Sequence, residues 1–148
     1  MPFIATGYTK NLNAPVGKWV CTRTSPLKPY DTVPPLAKRS GPDFCGQCVS
    51  FVTRACSTLP VSTAQWKKGA LVKEATEIAD GTVIATFNAQ GRYEGHAAIF
   101  VKKDTQGIHV YDQWVTGTNP KAIGPRLIRW TGTGVSNRGD GFHVVEPL

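Results

Sequence analysis

The sequence predicts an α+β domain built on an antiparallel sheet, and three observations lead there. The chain has 148 residues, about the size of one domain and enough to bury a real core. It is 41% hydrophobic and 18% charged, a globular balance rather than that of a disordered chain. Helical periodicity comes first, near residue 45, and strand-like segments follow it to the C-terminus. That order argues for helices segregated from an antiparallel sheet rather than for alternating βαβ units. No internal repeat or second domain is visible, so residues 1–148 read as one domain.

Residues 1–42 are rich in Pro, Gly, Thr and Lys, and no period of 2 or 3.6 persists in them. They read as a loop-rich surface arm, with one short turn of helix at most, ahead of a core over 43–148. In "CGQCVSFVTRACSTL" Val49, Val52, Ala55 and Cys56 fall at helical spacing, and Phe51 and Ala55 form an i,i+4 pair. The "SGPD" before it supplies turn and capping residues, and Pro60 supplies a stop. A helix is therefore expected over about 46–58. "STAQWKKGALVKEA" reads as a second, short helix and a loop, with Ser62 or Thr63 as its cap.

Five strands are expected after "ADG". They are "TVIATFN", "HAAIFVKK", "GIHVYDQWV", "GPRLIRWTG" and "GFHVVEP", each marked by β-branched content or alternation. Alternation in the third places Ile108, Val110, Asp112 and Trp114 on one face.

The formal net charge of +7 suits nucleic acid, anionic lipid or an anionic cell wall, and equally suits solubility alone. The cations are scattered, and RNP-like motifs, zinc-finger spacing and a heptad-linked basic region are absent, so nucleic acid is not expected as a partner. No apolar stretch reaches 18 residues, and no membrane span is expected. The N-terminus lacks a basic region followed by an apolar one, so it does not read as a secretory signal. A protein of this kind working outside its own cytoplasm needs another route.

The cysteines are Cys21, Cys45, Cys48 and Cys56, too few for a disulfide scaffold at this length. One disulfide stays open, for example Cys21 with Cys45 or with Cys56. Cys45 and Cys48 form a C-x-x-C, but no second pair or H-x-x-x-H follows to complete a zinc site. What precedes them is Pro- and Gly-rich rather than a strand, unlike a thioredoxin-type redox site.

A nucleophilic cysteine fits better. The start of a helix stabilises a thiolate through unpaired N–H groups and the helix dipole, and Cys48 stands at the start of the expected helix. His96, after the turn-like "GRYEG" and at the mouth of the strand "AAIFV", is placed to act as base. Asp112 is an acid inside an otherwise apolar strand. Burying it unpaired is costly, and pairing with His⁺ supplies a reason. Gln113 is the fallback for this third position if the register slips by one. His109 and His143 read as structural or exposed. Trp66, Trp114 and Trp130 read as core before ligand platforms, with Trp66 also a candidate to cover a groove.

Three segments together carry a resemblance. "GQCVSFV" resembles the cysteine motif of CHAP-type peptidoglycan hydrolases and is similar to the cysteine box of NlpC-like cell-wall peptidases. "GHAAIFV" resembles the histidine box of both groups, and "VYDQW" the acidic box on the next strand. The small size and the "TAQWKKGALV" segment further resemble small amidase effectors of type VI secretion. The resemblance implies a papain-like fold with N-terminal helices on an antiparallel sheet. It implies cleavage of an amide bond in peptidoglycan stem peptides or cross-links, without metal or organic cofactor. It implies Cys48 as nucleophile, His96 as base and Asp112 as orienting group.

The backbone N–H of Cys48 is then one oxyanion donor, and Gln47, Trp66 and Gln113 are candidates for oxyanion or substrate contacts. The protein is expected to be a monomer acting on the wall or periplasm of a target bacterium, with a cognate immunity protein as partner. Two other readings stay open: a different thiol acyl-transfer enzyme on the same fold, and a wall- or partner-binding module without turnover.

Overall fold

The fold comes from a computed structural model, which describes residues 1–25, 28–35, 43–117 and 119–148. Its centre is a six-stranded antiparallel sheet. The strands are β3 (Trp66–Leu71), β4 (Val83–Phe87), β5 (Tyr93–Lys103), β6 (Gly107–Trp114), β7 (Lys121–Arg129) and β8 (Phe142–Pro147). They lie in the order β3-β8-β4-β5-β6-β7. Strands β4 to β7 form a meander, and β8 returns to insert between β3 and β4. A separate two-stranded ladder pairs β1 (Trp19–Val20) with β2 (Tyr30–Asp31). Among the described residues no helix is long and apolar enough to cross a membrane.

Among the described residues α1 (Cys48–Ala55) is the one α-helix. Its buried residues include Phe51, Val52 and Ala55, spaced so that one stripe meets the sheet. That stripe packs with Val83, Ala85, Ala97, Ile99 and Val145. The opposite sheet face carries Ile84, Ala98, Phe100, Ile108, Val110, Ile128, Phe142 and Val144. The alternation along β5 therefore sends Ala97 and Ile99 to the helix side and Ala98 and Phe100 to the other.

The helix ends at Ala55, short of Pro60. Arg23 from the N-terminal segment meets its last carbonyls: Nη1 donates to Thr53 O (3.0 Å), Cys56 O (3.1 Å) and Ser57 O (2.7 Å). A guanidinium at this end satisfies orphan acceptors and opposes the dipole. At the other end Gln47 is the N-cap. Of the expected capping run, Ser40, Gly41 and Pro42 lie outside the described residues, and Asp43 accepts a hydrogen bond from Ser25 Oγ at 2.5 Å.

Two expectations are corrected. "STAQWKKGALVKEA" is not a second helix. Thr63–Gln65 make a single 3₁₀ turn, and Trp66–Leu71 continue as edge strand β3, with Trp66 opposite Pro147 and Lys68 opposite Val145. The Ala, Gln, Lys and Leu content favours helix locally, but pairing with β8 overrides it. Exposed Lys67 and Lys68 suit an edge that must not recruit further strands. The picture of several N-terminal helices on a sheet thus gives way to a mostly β fold with one helix.

The described part of the first 42 residues is also more than a surface arm. Ala5, Tyr8, Ala14, Val20 and Cys21 are buried, and all but Cys21 join the helix-side core. Ala5 N–H donates to Gly81 O at 2.8 Å, Arg54 Nη2 donates to Thr22 O at 2.6 Å, and Cys21 is disulfide-bonded to Cys45. Of the two pairings left open, it is this one that forms. Cys56 is free and buried.

Candidate active site

Cys48 is the first residue of α1, and the chain reaches it through a sharp turn. Gly46 adopts φ 87°, and a Cβ there would stand 2.9 Å from Val115 Cβ. Only glycine suits both demands. The turn is fastened by the neighbouring disulfide at Cys45 and by Gly46 N–H donating to Val20 O at 2.9 Å.

His96 also follows a glycine with cause. Gly95 has φ 112°, and a Cβ there would lie 2.4 Å from Thr86 Oγ1 and 2.5 Å from Val135 Cγ1. Thr86 Oγ1 accepts from His96 N–H at 3.0 Å and donates to Glu94 O at 2.5 Å, which sets the strand where the imidazole begins. His96 is 4% exposed. Its Nε2 lies 2.8 Å from Asp112 Oδ2, and its ring faces the same cleft as the Cys48 thiol, near enough that each group shifts the other's titration. With Nε2 occupied by the carboxylate, Nδ1 is the nitrogen left for sulfur.

Asp112 is fully buried and heavily partnered. Besides His96, its Oδ2 accepts from Arg126 Nε at 2.9 Å and lies 2.8 Å from Arg126 Nη2. Its Oδ1 lies 3.0 Å from Lys121 Nζ. Lys121 also donates to Asp112 O and Gly124 O, both at 2.8 Å. Arg126 reaches on to Asn137 Oδ1 (2.9 Å) and Ser136 O (3.0 Å). A buried carboxylate needs such company to remain ionised.

The charges follow. Burial pushes the Cys48 thiol up, but the His96 hydrogen bond and charge, the Tyr93 hydroxyl and the Ala97 backbone outweigh it, and the thiol titrates below its ordinary value. Burial pulls His96 down, but its bond to Asp112 and its bond and attraction to Cys48 carry it up to about 9. Burial raises Asp112, and His96, Arg126 and Lys121 more than reverse it, so the carboxyl sits well below its usual range. These shifts all run in the direction that favours a thiolate–imidazolium pair backed by a carboxylate.

Cys48 and His96 open on a cleft of about 560 Å³ whose wall also includes Gln47, Tyr93, Trp114 and Arg126, with Ser136 and Asn137 beyond them. Of the sequence-predicted residues, the structure brings Cys48, His96 and Asp112 together and puts Gln47 in the wall. It does not bring the other two there. Trp66 is 2% exposed, its Nε1 donates to Pro60 O at 2.9 Å, and its ring meets Tyr93 edge-on at 5.1 Å. It supports the site from the core and lies outside the wall of the cleft that holds Cys48 and His96.

Gln113 is fully buried. Its Oε1 accepts from Val20 N–H at 2.7 Å, and its Nε2 donates to Val20 O (3.0 Å) and Gln47 O (2.7 Å). It ties the N-terminal segment to the helix start, so it is neither a substrate contact nor the third member. Trp114, read as core, instead faces the cleft, with the Arg126 guanidinium 5.0 Å from its ring centroid.

Sequence reasoning missed Tyr93, Lys121 and Arg126. Tyr93 Oη stands 3.3 Å from Cys48 Sγ, and no spacing rule announces it. Arg126 did carry a signal: like Asp112, it is a charge inside an apolar strand. Pairing of Asp112 with Gly124 and of Val110 with Arg126 makes the two charged residues diagonal neighbours.

The chain matches the family model described as domesticated amidase effector 2 over residues 13–145. It is 41% identical over 104 residues to the domesticated amidase effector 2 of Ixodes scapularis, covering 68% of this chain and 70% of that protein. It is 39% identical over 103 residues to a type VI secretion amidase effector 2 protein of Salmonella typhi, covering 66% of this chain and 74% of that protein. A solved structure of type 6 secretion amidase effector 2 superposes with a TM-score of 0.60 at 32% identity, covering 69% of this chain and 81% of that one.

Proposed function

The chain belongs to the domesticated amidase effector 2 family, and we propose that it is a cysteine amidase that cuts an amide bond in the stem peptides or cross-links of bacterial peptidoglycan. One observation carries the reading. His96 holds Asp112 through Nε2 at 2.8 Å, and Cys48 and His96, whose charges favour each other, line one cleft. A base that touches a nucleophile and is oriented by a buried acid is what acyl transfer needs.

The Cys48 thiolate adds to the amide carbonyl, forming a C–S bond while the carbonyl electrons move to oxygen. The backbone N–H of Cys48, in the first turn of α1, donates to that oxyanion. His96 imidazolium gives its proton to the departing nitrogen, the C–N bond breaks, and a thioester remains. Neutral His96 then takes a proton from water as the hydroxide adds to the thioester. Sulfur leaves as thiolate, and the product is a carboxylic acid. Asp112 keeps the imidazole in the tautomer and position required throughout.

The cysteine on a helix start and the histidine on a facing strand support a papain-like core of the CHAP or NlpC kind, with one α-helix among the described residues. Kinship with a type VI secretion effector supports delivery to the wall of a target bacterium; action as a monomer and an immunity protein that plugs the cleft belong to the same proposal. Purified sacculi test the central claim. Wild type releases soluble muropeptides and Cys48→Ala releases none. Equal release by both proteins, or none by either, overturns the reading. Mass spectrometry of the products identifies the amide.

A further inference from the structure

We propose that Tyr93 is a catalytic residue whose hydroxyl donates first to the Cys48 thiolate and then to the oxyanion formed when that sulfur adds to an amide carbonyl. The proposal rests on the amidase reading of Cys48 and completes it, because the backbone N–H of Cys48 is a single donor and a tetrahedral oxyanion is better held by two.

Tyr93 Oη lies 3.3 Å from Cys48 Sγ, and both residues line the cleft together with His96. In a tetrahedral adduct the oxygen stands roughly 2.6 Å from the sulfur, so a donor already beside Sγ comes within the useful range of about 2.7–3.1 Å by a small shift. As the C–S bond forms, negative charge leaves sulfur and appears on oxygen. A hydroxyl beside both atoms follows it without breaking from the site.

The phenol is also held rigidly. The Tyr93 ring is gripped edge-on by Trp66, 5.1 Å between centroids, and Trp66 is itself buried and anchored by its indole N–H to Pro60 O. Preorganised donors are worth more than mobile ones because nothing must reorient as charge develops. This gives buried Trp66 a part in the site: it is the backing of the phenol.

Burial, then the Cys48 charge and hydrogen bond, push the Tyr93 phenol above its ordinary value. The phenol therefore stays a donor in the neutral range, where the lowered thiol can supply a thiolate. It is not a second base, since His96 already takes and gives the proton.

Tyr93→Phe keeps the ring and deletes the hydroxyl. Three measurements on the whole chain decide the matter: sacculus digestion with separate kcat and KM on a released muropeptide substrate, thermal unfolding, and binding of a peptide aldehyde built on the acyl half of the product. The aldehyde forms a hemithioacetal with Cys48 whose oxygen sits where the oxyanion would.

For Tyr93→Phe we expect kcat to fall about a hundredfold, KM to change little, and aldehyde affinity to fall by a similar factor, with the midpoint of unfolding kept. Wild-type kcat in Tyr93→Phe overturns the proposal. So does a loss of kcat without loss of aldehyde affinity, or the same twin loss in Gln47→Ala with Tyr93→Phe unaffected. If Tyr93→Phe unfolds, Trp66→Phe, which loosens the phenol but keeps its hydroxyl, must lose kcat and aldehyde affinity together, and failure to do so also overturns it. An inactive wild type would sink the amidase reading itself, a result distinct from all of these.

Discussion

His96 and Arg126 share one oxygen: Asp112 Oδ2 lies 2.8 Å from His96 Nε2 and 2.8 Å from Arg126 Nη2. The carboxylate that orients the imidazole is thus itself held by a guanidinium, which also grips Ser136 and Asn137 in the cleft wall. Arg126→Met should therefore lower kcat by about tenfold or more, the scale on which outer partners act in comparable sites. It should also move the basic limb of the pH–rate profile upward, because a less compensated Asp112 holds the imidazolium more tightly. Arg126→Lys should restore only part of the rate, since an ammonium cannot span the carboxylate and the loop at once. A merely structural role would lower activity without moving the limb.

Thiolate chemistry and turnover should part company at high pH. Alkylation of Cys48 should already be fast near neutrality, because its thiol is lowered by His96, Tyr93 and the Ala97 backbone against the opposing effect of burial. Hydrolysis should fall as pH rises through about 9, where His96 loses the proton it must give the leaving amine. Alkylation, which needs no acid, should not fall there. Faster labelling of Cys56 than of Cys48 would contradict the assignment of the nucleophile.

Asp112 should make the fold acid-sensitive. Its folded carboxyl lies well below the ordinary value, so the unfolded state binds the proton more readily. The contribution is fully present above about pH 4 and is lost as pH falls toward the lowered folded value. Unfolding by denaturant at pH 7 and pH 3 should show a larger loss for wild type than for Asp112→Asn. The variant should also lose most activity at neutral pH, since an amide cannot support the imidazolium as a carboxylate does.

Gln113→Leu should destabilise by about 1–3 kcal/mol, because the Val20 N–H is left without its partner in the interior, while Val20 O and Gln47 O each lose one of several donors. Gln113→Glu can still accept from Val20 N–H but cannot donate to the two carbonyls, and should be as bad or worse. Chemical denaturation measures both. Full stability in Gln113→Leu would contradict the clamp between the N-terminal segment and the helix start.

Cys45→Ser should cost about 3 kcal/mol in the chain-entropy picture of a loop closed across 24 residues. Below its lowered unfolding temperature the variant should keep most activity, whereas Cys48→Ser should have none. The C-x-x-C thus divides into a brace and a nucleophile. Thermal unfolding with and without reductant, beside a sacculus assay, checks each half.

The five late strands were legible because alternation and β-branched content are local, and so was α1, whose apolar stripe repeats at helical spacing. Cys48, His96 and Asp112 could be singled out for a similar reason: each is a chemically demanding residue in a segment whose pattern does not ask for it. The sequence by itself determined that much, including the placing of a cysteine at a helix start where a thiolate is favoured.

Tertiary structure alone decided the rest. Trp66–Leu71 became a strand because β8 offered unpaired edge groups from more than 70 residues away, a pull that no local propensity records. Asp112 and Gln113 are consecutive, yet one holds the imidazole and the other ties the N-terminal segment to α1. Which residue did which depended on the face each took, and a shift of one would have exchanged them. Tyr93 and Arg126 reached the site only through the curl of β5 past Thr86 and the pairing of β6 with β7. The chemistry of a site depends on distances between side chains, and those follow from packing rather than from order along the chain.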